Sequence, residues 1–220
     1  MPSVYYELPS PRLTRGEYWL LEIMAEGFIP AGWLGSDDRG QGANKQPHGL
    51  SQDELVETVL ELWQQGLISF LAGHDITECE TISTEEIRNA LAEKFRPGKS
   101  RTYVCLTSEG GRVWEAFAAP RWDEYISELW GPDESLGQDV TELICANLEL
   151  LQRYLKFNYP SLSQIDPSRV WWDILEPWEV TNWKTLPKAH RVRFVDPDDG
   201  VKMISLSPQF ISRPRWYRWD

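Results

Sequence analysis

A chain of 220 residues with 41% apolar and 25% charged residues can bury a core of ordinary size, which excludes wholesale disorder. The formal net charge of −12 argues against a general affinity for nucleic-acid backbones, because that affinity rests on clustered Lys and Arg. Three cysteines without a C-x-x-C spacing indicate neither a disulfide framework nor a thiolate zinc site. We therefore expect a cytoplasmic protein, and no apolar run approaches the ~18 residues of a membrane span.

The N-terminal stretch is predicted to contain one helix followed by a long polar loop. Apolar residues recur at helical spacing over residues 17–26, and Gly27 is a suitable C-terminal stop. Residues 30–49 are rich in Gly, Asp, Asn, Gln and Pro, which is typical of a loop. A loop of this length is expected to be either functional or mobile.

The strongest helix signal in the chain follows this loop. Ser51 with Glu54 three residues later forms a capping box, which predicts a helix over residues 51–65 that ends at Gly66. Its apolar stripe is predicted to contain Leu55, Val56, Val59, Leu60, Leu62 and Trp63. Its outward face is predicted to contain Asp53, Glu54, Glu57, Thr58, Glu61, Gln64 and Gln65. That face therefore has four carboxylates and neither Lys nor Arg.

Two short strands and two further capped helices are predicted next. Apolar runs over residues 67–71 and 102–106 are typical of strands. Between them, Ser83 with Glu86 forms a second capping box, and after them Thr107 is a suitable N-cap for another helix. The inward side of that last helix is predicted to contain Val113, Trp114 and Phe117.

The order of these elements resembles that of winged-helix regulators of the MarR and PadR type. The first capped helix ends in Gly66-Leu67-Ile68, two strands follow, and Leu106-Thr107-x-x-Gly110 opens the next helix. The resemblance covers roughly residues 50–118, and it implies a winged-helix fold in which the helix after Ser51 is the recognition helix. Two departures accompany it. A polar stretch stands where such proteins keep the preceding helix, and a helix is inserted into the wing around residues 84–94.

The remaining chain is predicted to form a smaller region of helices and a β-hairpin. Turn residues and a loss of periodicity over residues 131–137 indicate a domain boundary. A turn or short helix is predicted over residues 120–129, and helices are predicted over residues 140–157 and 166–175. Strands are predicted over residues 190–195 and 201–206, joined by a turn at residues 196–200.

The predicted fold class is therefore α+β, with two domains of different charge. A winged-helix-like domain is predicted over residues 1–130, and a smaller α+β domain with a β-hairpin over residues 131–220. The first has 11 basic against 21 acidic side chains, a net charge of −10, and the second has 11 against 13, a net charge of −2. Acidic character is thus concentrated in the first domain.

No motif predicts a catalytic, cofactor or metal site. Residues 74–80 concentrate potential metal ligands, but they lack a known ligand spacing, so a solvated loop at the wing is favoured over a metal site. Cys105 and Cys145 fall in a predicted strand and a predicted helix, where a small buried apolar side chain is expected. Asp196 to Gly200 is interpreted as a turn rather than part of a calcium loop. We therefore expect no cofactor and no enzymatic activity.

The heavy aromatic content has two interpretations. Trp63 and Trp114 lie on apolar stripes of capped helices, so both are expected in the core of the first domain. The C-terminal region contains Trp171, Trp172, Trp178, Trp183, Trp216 and Trp219, with Arg213, Arg215 and Arg218 near the end. Aromatic and basic residues in alternation can bind single-stranded nucleic acid. Packing of these rings in the core of the second domain is favoured, because so many exposed rings would promote aggregation.

Three classes of function are compatible with these features. The favoured class is a non-catalytic protein-interaction module, such as an adaptor, inhibitor or immunity-type protein, that uses an acidic face against a basic protein partner. The expected partner-binding residues are Asp53, Glu54, Glu57 and Glu61. The first alternative is a winged-helix DNA-binding regulator, although DNA is not the expected partner of so acidic a helix. The second alternative is an enzyme with an unrecognised site, and self-association into a homo-oligomer is left open.

Overall fold

The computed structural model of the chain describes residues 13–35, 48–73, 77–93, 102–133, 138–160, 162, 167–195 and 209–210. It contains helices and antiparallel sheets, so the predicted α+β class is confirmed. The chain divides into two compact units. Unit 1 comprises the described residues up to Ala119 together with Thr181–Lys184, and unit 2 comprises Pro120–Val180 and the described residues from Thr185 onward.

The described helices and strands are as follows. The α-helices are α1 (Arg15–Met24), α2 (Gln52–Gln64), α3 (Thr84–Leu91), α4 (Ser108–Ala118) and α5 (Leu148–Asn158). The strands of unit 1 are β1 (Ile29–Pro30), β2 (Ile68–Ala72), β3 (Thr77–Glu78) and β4 (Thr102–Leu106). Those of unit 2 are β5 (Tyr125–Asp133), β6 (Gln138–Cys145), β7 (Val170–Leu175), β8 (Trp178–Glu179), β9 (Thr185–Leu186), β10 (Ala189–Phe194) and β11 (Gln209–Phe210).

Capping boxes begin the first three helices of unit 1. Ser51 Oγ accepts a hydrogen bond from the Glu54 backbone N–H, and the Glu54 carboxylate accepts one from the Ser51 N–H in return. Ser83 with Glu86 begins α3 in the same way, as the sequence predicts. Thr14 with Glu17 begins α1, two residues earlier than predicted, because Thr14 supplies the cap that satisfies the first free N–H groups.

The core of unit 1 lies between its helices and an antiparallel sheet with the strand order β1-β4-β2-β3. Trp114 of α4 is 1% exposed, which confirms the predicted orientation of this helix. Its indole Nε1 donates to Glu22 Oε2 of α1 over 2.6 Å, and Tyr18 Oη donates to the same oxygen over 3.3 Å. Glu22 is itself only 3% exposed, so α1 and α4 are joined by a buried hydrogen-bonded carboxylate.

The start of α4 approaches the turn after α2 very closely. Thr107 caps α4 by accepting the Gly110 N–H, and its own hydroxyl donates to the Gly66 carbonyl over 2.6 Å. The Thr107 N–H donates to the Leu67 carbonyl over 3.1 Å. A Cβ atom placed on Gly110 would lie 1.8 Å from that Leu67 oxygen, so glycine is required here by space.

The short segment Thr181–Lys184 contributes to unit 1. Trp183 packs edge to face on Trp114, with 5.9 Å between ring centroids, and its Nε1 donates to the Ala25 carbonyl over 3.0 Å. Lys184 forms an ion pair of 2.6 Å with Glu115 of α4. Trp183 is therefore packed, but in unit 1 and not in the core of the C-terminal region where the sequence predicts it, and Trp172 is 47% exposed.

Unit 2 is built on a second antiparallel sheet with the strand order β11-β5-β6-β10-β7. Helix α5 covers one face of it, and the apolar cluster beneath the helix contains Ile126, Leu143, Cys145, Leu151, Leu155, Val192 and Phe194. On the other face, Arg191 donates to Glu142 over 3.3 Å and binds both carboxylate oxygens of Asp173. These hydrogen bonds hold the pKa of Asp173 below its ordinary value.

Two helical predictions in this region are wrong, and a third is right only over its first turn. The predicted helix over residues 140–157 is instead strand β6 followed by α5, which begins after the N-cap Asn147. The predicted helix over residues 166–175 is a single 3₁₀ turn followed by strand β7. Residues 122–124 form another 3₁₀ turn, and the rest of the predicted helical segment 120–129 enters strand β5. These segments are extended and pair with neighbouring strands, and local sequence patterns report such pairing poorly.

The division between the units lies earlier than the predicted boundary at residue 130. Unit 2 begins at Pro120, and the turn-rich residues 131–133 belong to strand β5, where Asp133 is paired with Gln138 of β6. Trp63, predicted to be a core residue, is only partly buried, and Leu60 of the same stripe is partly exposed too. The predicted strand over residues 201–206 and its turn lie outside the described residues.

Candidate protein-binding groove

An acidic groove in unit 1 runs beside helix α2. It has a volume of about 720 Å³ and is lined by Glu54, Glu57, Thr58 and Glu61 of α2 and by residues 13–16 and 48–50. The four α2 residues follow the i, i+3, i+4 and i+7 spacing that places side chains on one helical face. Three of the four predicted partner-binding carboxylates are therefore brought together along one wall.

Glu54 lies at the N-terminal end of this wall and is held in place by the helix cap. Its Oε2 accepts the Ser51 N–H over 2.7 Å. The hydrogen bonds from Ser51 lower the pKa of the Glu54 carboxyl, so this group stays ionised to lower pH than an ordinary glutamate. It provides a fixed negative charge at one end of the groove.

Glu57 and Glu61 lie one helical turn apart and are both exposed. Within the part of the chain that the structure describes, neither carboxylate forms an ion pair or a side-chain hydrogen bond. Four residues of α-helix correspond to a rise of about 6 Å. That is close to the ~6.6 Å between every second residue of an extended chain. Two cations on the same side of an extended segment would therefore match the two carboxylates.

Asp53 is set apart from the other three carboxylates. Its Oδ1 accepts from Arg88 Nη1 of α3 over 2.7 Å, and it does not line the groove. Its side chain is 77% exposed, so the pair contributes little to stability. The charge of Asp53 is nevertheless partly neutralised within unit 1.

The opposite wall comes from two segments distant in sequence. Gly16 at the start of α1 packs on Leu50 so closely that a Cβ atom there would lie 2.9 Å from a Leu50 methyl carbon. His48 is 7% exposed, its Nδ1 accepts the Leu50 N–H over 3.0 Å, and its ring meets Trp19 edge to face at 5.2 Å. The floor of the groove is thus packed, while Arg15 adds one basic side chain to its rim.

The sequence carries little indication of this second wall. Residues 13–16 and 48–50 carry no binding motif, and nothing in their spacing relates them to α2. The capping pair Thr14 and Glu17 was the one available signal, because it fixes the start of α1 and hence the position of Gly16.

The cysteines offer no activated nucleophile. Burial, with the nearby Glu78 charge as a lesser cause, raises the pKa of Cys105 to about 11. Burial likewise raises the pKa of Cys145 to about 11. Both thiols therefore stay protonated at neutral pH, and thiolate is the form that attacks or binds metal. All three cysteines are free.

The candidate metal loop at residues 74–80 is only partly described. His74 and Asp75 lie outside the described residues, and Ser69 Oγ donates to Glu78 over 2.6 Å. Among the residues that have been placed, no three His, Cys, Asp or Glu side chains converge as metal ligands would. In the same part of the chain, no helix combines the length and the apolar character needed to cross a membrane.

Comparisons with protein-family models, curated proteins and solved structures find no match for this chain. The acidic groove and the fold that builds it therefore carry the functional argument.

Proposed function

We propose that this protein is a non-catalytic protein-interaction module that binds a basic segment of a partner protein in the acidic groove beside α2. The observation that carries the proposal is the alignment of Glu54, Glu57 and Glu61 along one wall of a groove of about 720 Å³. A volume of this size accommodates several side chains. An adaptor, an inhibitor and an immunity-type protein would all use such a surface.

The spacing of the acidic side chains favours an extended segment with Lys or Arg at every second position. Such a segment places alternate side chains on one side, and their separation matches that of Glu57 and Glu61. Exposed ion pairs contribute about 0.2–1 kcal/mol each, so the charges supply selectivity and fast association more than tight binding. The proposed partner is therefore basic and the complex sensitive to salt.

A charge-reversal pair tests this function. Glu57→Lys/Glu61→Lys is expected to weaken binding of a fluorescein-labelled peptide of alternating Lys and Ser about tenfold. Two ion pairs are lost and replaced by repulsion, a change of about 1.4 kcal/mol. Fluorescence anisotropy at low ionic strength measures the affinity, and a block peptide of the same composition should bind the parent more weakly.

A matched variant separates the groove from the charge of the whole protein. Glu80 and Glu93 are exposed acidic residues of unit 1 outside the groove. Glu80→Lys/Glu93→Lys alters the net charge by the same amount and is expected to bind the alternating peptide nearly as well as the parent. Equal loss of affinity in the two double variants would contradict the proposed site.

We also propose that unit 1 is a winged-helix scaffold used for binding protein instead of DNA. The elements that support this are α2 ending before Gly66, the strands β2 and β4, and α4 opening after Thr107. Helix α3 stands between the strands, where the resemblance places the wing. Because all three cysteines are free, a reducing cytoplasm is the proposed location.

The absence of DNA binding is a separate prediction. Helix α2 contains no Lys or Arg, and it exposes Asp53, Glu54, Glu57 and Glu61. Placing this face in a major groove would bring like charges together without any release of counterions. We expect no sub-micromolar binding of the parent to random duplex DNA at low salt in an anisotropy titration. Tight binding by the parent that Glu57→Lys/Glu61→Lys abolishes would restore the regulator function.

A further inference from the structure

Strand β7 forms one edge of the sheet in unit 2. Among the described strands it pairs with β10 alone, from Ala189↔Leu175 to Phe194↔Val170. In an antiparallel edge strand, every second residue directs its N–H and C=O away from the sheet. Within the described residues no second strand takes up these backbone groups, and they can pair with another extended chain.

The side chains of β7 do not protect this edge. Trp172 and Ile174 lie on the same face, two residues apart, and are 47% and 51% exposed. The strand contains no Pro, Lys or Arg, and its one charged residue, Asp173, is bound by Arg191 of β10. Natural sheet edges are usually protected against pairing by charges, prolines or bulges. An apolar edge without such protection is therefore expected to be covered by a partner strand.

The opposite side of the sheet is protected. Strand β11 pairs with the start of β5 at Tyr125 and Ile126. Farther along, β5 contains Gly131 and Pro132, and a proline cannot donate a backbone hydrogen bond to a neighbouring strand. Of the two sides, β7 is the one suited to pairing.

The residues of β7 complement a second copy of the same strand. Arg169 precedes the strand, is exposed, and has no ion-pair partner among the described residues. Arg169 and Asp173 lie two positions before and two positions after Trp171. When two copies pair antiparallel about Trp171 and the strand extends by one residue into the end of the 3₁₀ turn, each Arg169 stands opposite the Asp173 of the other copy. Val170 of each copy then lies opposite Trp172 of the other copy. Such pairs of an aromatic and a β-branched side chain stabilise sheets.

We propose that two copies of this chain associate through β7, in antiparallel register centred on Trp171, to form a two-fold symmetric dimer with one continuous sheet. Asp173 retains acceptor capacity for the second arginine, because an ionised carboxylate has about four lone-pair sites. The isologous geometry is that of most homodimers. This interface involves unit 2 and is independent of the acidic groove.

Sedimentation equilibrium of the full chain tests the association. The parent is expected to sediment at high micromolar concentration with about twice the 25.5 kDa mass of one chain. Trp172→Lys introduces a charge at the edge and is expected to yield a monomer, and Ile174→Lys serves as a second variant. Trp130→Lys is the matched control, because Trp130 is 50% exposed on β5. A monomeric parent, or a dimer lost with Trp130→Lys and retained with Trp172→Lys, would overturn the proposal.

The proposed pairing of Arg169 with Asp173 of the other copy gives a second test of the dimer. Arg169→Glu places like charges opposite each other at both ends of the interface and is expected to weaken dimerisation about tenfold at low salt, while Arg169→Lys retains it. Equal dimerisation constants for the two variants would overturn the proposed register.

Disulfide formation locates the two-fold axis. In a Cys79→Ser background, Trp171→Cys is expected to form a covalent dimer on mild oxidation. Directly opposed residues lie about 4.5–5.5 Å apart between Cα atoms, within disulfide range. Ile174→Cys should stay monomeric on a denaturing gel, because the proposed register separates the two positions by roughly 20 Å. Cross-linking of Ile174→Cys without Trp171→Cys would overturn the register.

Discussion

Replacing Trp114 with Ala is expected to lower the free energy of unfolding by about 3–5 kcal/mol, the range of large aromatic truncations in cores. The ring is 1% exposed and packs on Trp183. Its loss also removes the Nε1 donor 2.6 Å from the buried Glu22 carboxylate, which costs additional desolvation energy. Urea denaturation followed by far-UV circular dichroism measures the change.

Two control variants separate the causes of this loss. Trp114→Phe keeps most of the ring but removes the donor, so an intermediate cost of about 1–3 kcal/mol is expected. Trp63→Ala removes a ring that is only partly buried and should cost less than Trp114→Ala. A Trp114→Ala protein as stable as the parent, or less affected than Trp63→Ala, would show that the described core is wrong.

Gly110→Ala is expected to cost about 3 kcal/mol or more, the upper end of the range for overpacked sites. The added Cβ atom would lie 1.8 Å from the Leu67 carbonyl oxygen, a backbone atom held by the Thr107 N–H. The clash can therefore be relieved only if α4 moves away from the turn after α2. The gain in helix propensity from Gly to Ala, about 1 kcal/mol, is too small to offset this.

Gly131→Ala is the matched control for this substitution. Gly131 lies in strand β5, and a Cβ atom there would meet nothing within 4 Å. Its urea midpoint should therefore be close to that of the parent, while Gly110→Ala unfolds at a much lower urea concentration. Similar midpoints for Gly110→Ala and the parent would exclude the close approach of α4 to Leu67.

The helices of unit 1 could be predicted because their starts are encoded locally. Ser51, Ser83 and Thr107 each cap the helix that follows, and the apolar stripe of α2 identifies its buried side. Strand β4 was predicted with its observed bounds, Thr102–Leu106. Partial exposure of Trp63 could not be predicted, because a helical stripe gives direction but not the depth of packing that neighbouring elements provide.

The sheet of unit 2 was harder to predict, because one helical spacing runs from the end of a strand into the helix that follows it. Ile144, Leu148 and Leu151 follow a helical rhythm, yet Ile144 belongs to β6 and the other two belong to α5. Asn147 separates the elements by capping α5, with its Oδ1 accepting the Leu150 N–H. Residues 138–145 form a strand because β6 pairs with β5 and β10. Such long-range pairing cannot be read from a local sequence pattern.

The wall of the candidate groove formed by α2 could likewise be predicted from the sequence. Exposure of Glu54, Glu57 and Glu61 follows from the helical period and the position of the apolar stripe. The wall formed by residues 13–16 and 48–50 depends on tertiary packing. The ion pair that Asp53 forms with Arg88, away from the groove, depends on tertiary packing too. A sequence pattern therefore identifies which charges are exposed but not which of them share a surface.

A nuclear magnetic resonance titration tests the central claim, that the acidic groove binds a basic extended segment, most directly. Two-dimensional ¹⁵N–¹H spectra of the full chain would be recorded during addition of the alternating Lys and Ser peptide. We predict that the largest shift changes occur at the backbone amides of residues 54–61, 13–16 and 48–50. Largest changes at the exposed acidic residues of α3, or equal changes over every acidic surface, would contradict the claim.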